Sequence, residues 1–451
     1  MNQTEEATAS TLFDRTLAGL RGAVRGLIGG DILDPDPDLK KGDAERIRER
    51  LWACLEGTGG EVSARNRAAD LGKAYLQLSQ TGRRRYLTIL ATEFDRDPAA
   101  VEQAAAALAA APPEDRAAAE DALRDALSAP RERLLRQFNT LADGVKFLVD
   151  LRYDLMRFAR EDVALSGLEK DLKRLLASWF DVGFLELRRI DWNAPASLLE
   201  KLIDYEAVHA IQSWQDLKNR LDSDRRCYAF FHPSMPDEPL IFVEVALEAG
   251  LADSVHALLD EESPVGDPSR ADTAVFYSIS NAQRGLAGIA FGDFLIKRVV
   301  DDLRAELPNL KTFATLSPIP GFSRWLENNP DEAVETALAK PGWWEDPETA
   351  EAAKGPVLRA VARYLVHARR RGRAADPVAH FHLSNGARME RLNWMANVSE
   401  AGRAQSAGVM INYLYRSDMI EANHEAYKGE GRIAMSSAVR ALAGKRENKT
   451  R

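Results

Sequence analysis

Three short stretches carry side chains whose types and spacing could do chemistry. The first is FATLSPIPGFSRWL, residues 313–326, where Ser317 ends a strand-like alternation and is followed by Pro318, Pro320 and Gly321. Pro318 keeps Ser317 out of the helical region and Pro320-Gly321 turns the chain, so the hydroxyl is held at a strand end. Such a hydroxyl either closes a local turn or serves a ligand as hydrogen-bonding and proton-relay group. An acylated nucleophile fits less well. No Gly-x-Ser-x-Gly elbow surrounds Ser317, and Pro318 has no N–H to give to an oxyanion hole.

The second stretch is AHFHLSNG, a β-like run stopped by Asn385-Gly386. As a strand it would set His380 and His382 on one face, either as structural groups, as catalytic groups or as a metal pair lacking a third ligand. The third is NAQRGLAGIAFGDF, with glycines at 285, 288 and 292. Glycines let the backbone approach a phosphate, and a following helix offers it free N–H groups. The same spacing also serves tight helix-to-sheet packing.

The elements that must position these groups fall into two textures. From about residue 10 to 180 the chain reads as helix, Ala- and Leu-rich with apolar residues at i, i+3, i+4. In RQFNTLADGVKFLVDLRYDLMRFA, Phe138, Leu141, Val145, Leu148, Leu151 and Leu155 form one stripe. DPDPD at 34–38 and APPED at 111–115 break the helices. After about residue 183 come β-rich runs at Arg226 to His232, Pro239 to Leu247 and Thr273 to Ser280, the first two flanking a hairpin link. The glycine turn follows. Next is an amphipathic helix with Phe291, Leu295 and Val299 on its apolar face, and then the strand KTFATLS. This is an α+β plan with a largely antiparallel sheet.

Composition narrows the function classes. The 451 residues are 45% hydrophobic, enough for more than one core. A net charge of -9, from 69 acidic and 60 basic residues, argues against a nucleic-acid binder. Cys54 and Cys227 are too few for a disulfide framework or a zinc cluster and suit the reducing cytoplasm. The start, MNQTEEATASTLFDRTL, lacks the apolar region of a secretory signal. No run approaches the roughly 18 apolar residues of a membrane span. The Arg83–Arg85 and Arg369–Arg371 runs read as solvated faces or subunit contacts.

FYSISNAQRGLAG, FLIKRVV, LSPIPGFSRWL and HFHLSNGARMERLNWMANVS resemble the C-terminal domain of the malonyl-CoA decarboxylase family, and the helical first third resembles its N-terminal domain. The resemblance implies a multidomain chain: an all-helical N-terminal domain, 1–183, serving oligomerisation, then an acyl-CoA N-acyltransferase-like α+β catalytic domain, 184–451. It implies conversion of malonyl-CoA to acetyl-CoA and carbon dioxide in fatty acid metabolism, without biotin, metal or other cofactor. Ser317, His382 and Tyr415 fall on its catalytic positions. Its CoA-contacting turn falls on Ala287, Gly288, Ile289, Ala290, Phe291, Gly292 and Asp293, with Ser317 and His382 also meeting substrate. Gly285 stands where the acetyltransferase phosphate loop has Gln or Arg, leaving Gln283 or Arg284 as substitutes. The NKTR ending is no peroxisomal tripeptide and the start no Arg-rich transit segment, which points to a cytoplasmic protein, while the apolar stripes of the helical domain point to a homo-oligomer, dimer or tetramer.

The implied reaction fits these side chains. Losing carbon dioxide from a malonyl thioester pushes an electron pair into the thioester carbonyl, so charge grows on that oxygen and a proton must reach the carbon left behind. A hydroxyl and an imidazole supply both services. The alternatives are an acyl-CoA-dependent N-acyltransferase, which needs an amine site, and a non-catalytic CoA-binding regulator.

Overall fold

The computed structural model describes residues 33–57, 60–180, 182–289 and 295–445. They form two compact units, one reaching Trp179 and including Arg284–Ile289, the other made of the remaining residues. The first unit is helical, with helices at Lys41–Glu56, Gly60–Gln77, Gln80–Glu93, Pro98–Ala110, Arg116–Ala126, Pro130–Asn139, Gly144–Phe158 and Ser166–Trp179. Its core gathers Leu71, Tyr75, Leu87, Leu135, Leu148, Leu151 and Leu172, all buried. The proline-rich segments at 34–38 and 111–115 lie outside helices, as expected. Ser79 caps the Gln80–Glu93 helix, its side chain accepting from the Gly82 N–H.

One expectation fails in this unit and a second holds only in part. The stripe from Phe138 to Leu155 is not one helix: Asp143 takes a left-handed φ of 58°, and a side chain on Gly144 would stand 1.9 Å from the Phe138 carbonyl oxygen. An Asp-Gly turn thus divides it. Its apolar residues are buried on both helices except Leu141, which is partly exposed. Arg83 is no solvated residue either. Its guanidinium donates to the Leu78 and Leu76 carbonyls and pairs with Asp154 at 3.1 Å. Arg369–Arg371 stay exposed around the small hairpin of β6, Arg369–Arg370, and β7, Arg373–Ala374.

The second unit has the expected α+β plan. Its main sheet comprises β1 (Glu186–Ile190), β2 (Arg225–Phe231), β3 (Ile241–Glu248), β4 (Thr273–Asn281), β5 (Thr312–Thr315), β8 (Arg388–Asn393) and β9 (Met410–Leu414), in the order β1-β2-β3-β4-β5-β9-β8. All neighbours are antiparallel except β4 and β5, which are joined by the helix Leu295–Glu306. That helix buries Ile296, Val299, Val300 and Leu303, and lays Arg298 over Phe230 and Arg304 over Phe313. Alternation turns Ala229 and Phe231 to the other face, where Leu199, Leu202 and Leu217 pack on them.

The sheet opens beside the future site. β4 pairs with β5 only from Thr273 to Phe276 and then continues to Asn281 paired with β3 alone. Opposite β3 the register slips between Glu244 and Val245, leaving Tyr277 as the extra residue of a bulge.

Candidate active site

The register of β5 on β9 assembles most of the site. Ala314 faces Leu414, and in the same register a bridge pairs Ser317 with Ile411, the two exchanging backbone hydrogen bonds at 2.9 Å. Alternation therefore sets Thr315 and Ser317 on one face, with Tyr413 across from Thr315 and Tyr415 on that same face, across from Phe313. The other face receives Leu316 and Met410, which join a buried apolar cluster. Ser317 Oγ donates to Thr315 Oγ1 at 2.8 Å, and the same Thr315 oxygen accepts the Tyr413 N–H at 3.1 Å.

His382 comes from a different element than expected. The run AHFHLSNG is not a strand: it lies in the helix Pro377–Ser384. The start signal is Asp376-Pro377, with the Asp376 carboxylate accepting from the Val378 and Ala379 N–H groups and the proline at the first helical position. In a helix, residues two apart do not share a face. His380 Nδ1 meets Tyr427 OH at 2.9 Å, whereas His382 Nε2 lies 3.1 Å from Ser317 Oγ. The metal pair thus does not form. Among the described residues no group of three or more His, Cys, Asp or Glu side chains could hold a metal ion.

His382 Nδ1 lies 2.8 Å from Tyr415 OH, and its ring stacks on Tyr413 with centroids 4.6 Å apart. Ser317, His382, Tyr413 and Tyr415 are all buried. The three expected catalytic side chains form one continuous chain. Thr315 and Tyr413 were missed, although each stands two residues before a chosen one in a strand, where alternation points to it.

Burial pushes His382 down to about 3 from its ordinary 6.5, so the ring is neutral at neutral pH. Burial also pushes the Tyr415 phenol up. Between about 3 and 6.5 the unfolded chain would protonate this histidine while the native chain does not. Its contribution to stability is therefore complete above 6.5 and lost as pH falls toward 3. The kcat profile is expected to show no acid limb near 6.5, because the ring does not titrate there. A limb at that pH, absent in His382→Asn, would contradict the neutral, desolvated ring.

Of the glycine turn, Ala287, Gly288 and Ile289 belong to the helical unit. Ala287 and Gly288 are exposed, Ile289 is buried, and Ala290, Phe291, Gly292 and Asp293 lie outside the described residues. Arg152, wholly buried, donates to the Gly285 and Ala287 carbonyls and to Glu169 at 2.8 Å. Gln283 is no substitute for the missing loop residue, since it is buried and its amide donates to the Pro239 carbonyl. Arg284 is exposed over the Tyr153 ring.

A buried hydroxyl–imidazole–phenol chain beside the open part of an α+β sheet brings together groups suited to moving a proton, and that is the class of chemistry the site can do. Relatives narrow the class. The malonyl-CoA decarboxylase C-terminal domain matches residues 183–451, and the N-terminal domain of the same family matches residues 94–180. The chain belongs to the malonyl-CoA decarboxylase family. The mitochondrial malonyl-CoA decarboxylase of Mus musculus is 36% identical over 450 residues, covering 90% of this chain and 89% of that protein. That of Anser anser anser is 36% identical over 417 residues, 83% of each. The crystal structure of malonyl-CoA decarboxylase from Rhodopseudomonas palustris has a TM-score of 0.84 at 43% identity, covering 88% of this chain and 99% of that one.

Proposed function

We propose that this chain decarboxylates malonyl-CoA to acetyl-CoA, with Ser317, His382 and Tyr415 as its proton-handling groups. The observation that carries the reading is the buried contact of 3.1 Å between Ser317 Oγ and His382 Nε2 in a member of this family. The bond between the α-carbon and the carboxylate breaks, and its electron pair moves into the thioester carbonyl. The Ser317 hydroxyl meets the resulting enolate. The α-carbon takes the Ser317 proton, the His382 Nε2 proton follows onto Oγ, and the Tyr415 proton follows onto Nδ1. Water restores the proton that the reaction consumes. No acyl group rests on Ser317, because Pro318 offers no N–H to hold the oxyanion such a step would create.

In the same reading the Ala287–Asp293 turn takes the CoA phosphates. The chain acts in the cytoplasm, where Cys54 and Cys227, both free and buried, stay reduced. It assembles as a dimer or tetramer through the helical unit, a reading supported by Pro98–Ala110 and Arg116–Ala126, which contain no buried residue. Among the described residues no helix is long and apolar enough to cross a membrane.

Malonyl-CoA added to the pure protein should yield carbon dioxide and acetyl-CoA with nothing else present. A requirement for an amine would make it an N-acyltransferase, and no turnover would leave a CoA-binding regulator. The thioester itself accepts the electron pair, so protein treated with chelator and avidin is expected to keep full activity. Loss on chelation with recovery on adding zinc would contradict this.

A further inference from the structure

The hydrogen bond behind Ser317 sets the direction of the whole chain. Thr315 Oγ1 accepts the obligatory donor Tyr413 N–H, and it also receives the Ser317 proton. A hydroxyl has one proton. With that proton on Thr315, Ser317 can only accept from His382, so Nε2 must carry the hydrogen. His382 is buried and, among the described residues, meets no cationic or anionic partner, and a neutral ring protonated at Nε2 has a bare Nδ1. Tyr415 must then donate to Nδ1, its 2.8 Å contact. All of the donors run one way, from Tyr415 through His382 and Ser317 to Thr315.

We infer that Thr315 is a positioning residue: by accepting the Ser317 proton it selects the Nε2–H tautomer of His382, the one able to refill Ser317. The inference rests on the proposed proton-relay role of Ser317 and His382. It also explains why a threonine stands where its side chain touches no open surface: Thr315 has 0% exposure and sits on the strand that leads to Ser317, opposite Tyr413 of the strand that leads to Tyr415. Valine has the shape of threonine without the acceptor. In Thr315→Val the Ser317 proton loses its place and turns to Nε2. The ring then carries its hydrogen on Nδ1 and donates to Tyr415, and the Nε2 proton that should refill Ser317 is gone.

The test reads the tautomer and the turnover separately. In the intact protein, nitrogen NMR of the His382 ring should show Nε2–H, and Thr315→Val should show Nδ1–H. With malonyl-CoA, Thr315→Val should lower kcat by roughly 10- to 100-fold, less than loss of an acid–base group itself, with KM nearly unchanged. Thr315→Ser keeps the acceptor and should restore both the tautomer and most of kcat. A Thr315→Val protein that keeps Nε2–H and its kcat overturns the inference, and so does a Thr315→Ser protein as impaired as the valine form. If Thr315→Val does not fold, a Thr315→Ser protein with Nδ1–H overturns it too. The tautomer needs no substrate, so a wild-type protein inert to malonyl-CoA would refute the proposed function while the ring signal still decides the role of Thr315.

Discussion

His382→Asn and Ser317→Ala are each expected to lower kcat by roughly 10²- to 10⁴-fold, the range for losing a group that moves a proton in the transition state. KM for malonyl-CoA should change little. The reason lies in one contact. At 3.1 Å, with both groups buried, the two side chains act as one hydrogen-bonded unit. Because the two serve a single transition state, the double variant should lose far less than the product of the single losses. Losses that multiply would mean independent roles and would sink the relay. Rapid quenching with labelled malonyl-CoA should leave Ser317 unlabelled; an acyl-serine adduct would replace the relay with covalent catalysis. Tyr415→Phe keeps the ring and removes the donor to Nδ1. Near-normal turnover in that variant would reduce Tyr415 to a structural role.

The order of elements was legible because each carries its own period. Alternation gave β2, β3, β4 and β5 to within a few residues, and the apolar spacing gave the helix Leu295–Glu306. Ser317 was legible because two prolines leave its backbone few choices. His382 was placed on the right residue but the wrong element. The local alternation of HFHL competed with the Asp376-Pro377 start signal, and the cap won because it satisfies N–H groups that a strand reading never has to count. Thr315 was out of reach for another reason. Its role depends on the pairing of β5 with β9, about a hundred residues apart in sequence, and on where a single hydroxyl proton goes. The divided stripe from Phe138 to Leu155 was likewise settled by a close approach: no periodicity reports that Gly144 lies against the Phe138 carbonyl.

Close approach also separates the two glycines that the sequence treated alike. A side chain on Gly285 would stand 1.8 Å from the Val149 carbonyl oxygen, which is backbone and does not yield. Among the described residues, one on Gly288 would meet only the flexible end of Lys173, at 3.2 Å, though its φ of 73° disfavours a side chain. Gly285→Ala is therefore expected to cost about 1–3 kcal/mol or more through overpacking. Arg152→Ala should cost about 3–5 kcal/mol, since it strands Glu169 and leaves the Gly285 and Ala287 carbonyls without their donor. Gly288→Ala should cost only about 1–2 kcal/mol of left-handed strain. If the exposed turn takes the CoA phosphates, the order reverses for binding: Gly288→Ala folds and binds malonyl-CoA more weakly, while folded Gly285→Ala keeps its affinity. Melting curves and equilibrium binding on the same samples decide it. Unchanged affinity in Gly288→Ala would remove the turn from the site and leave both glycines to packing.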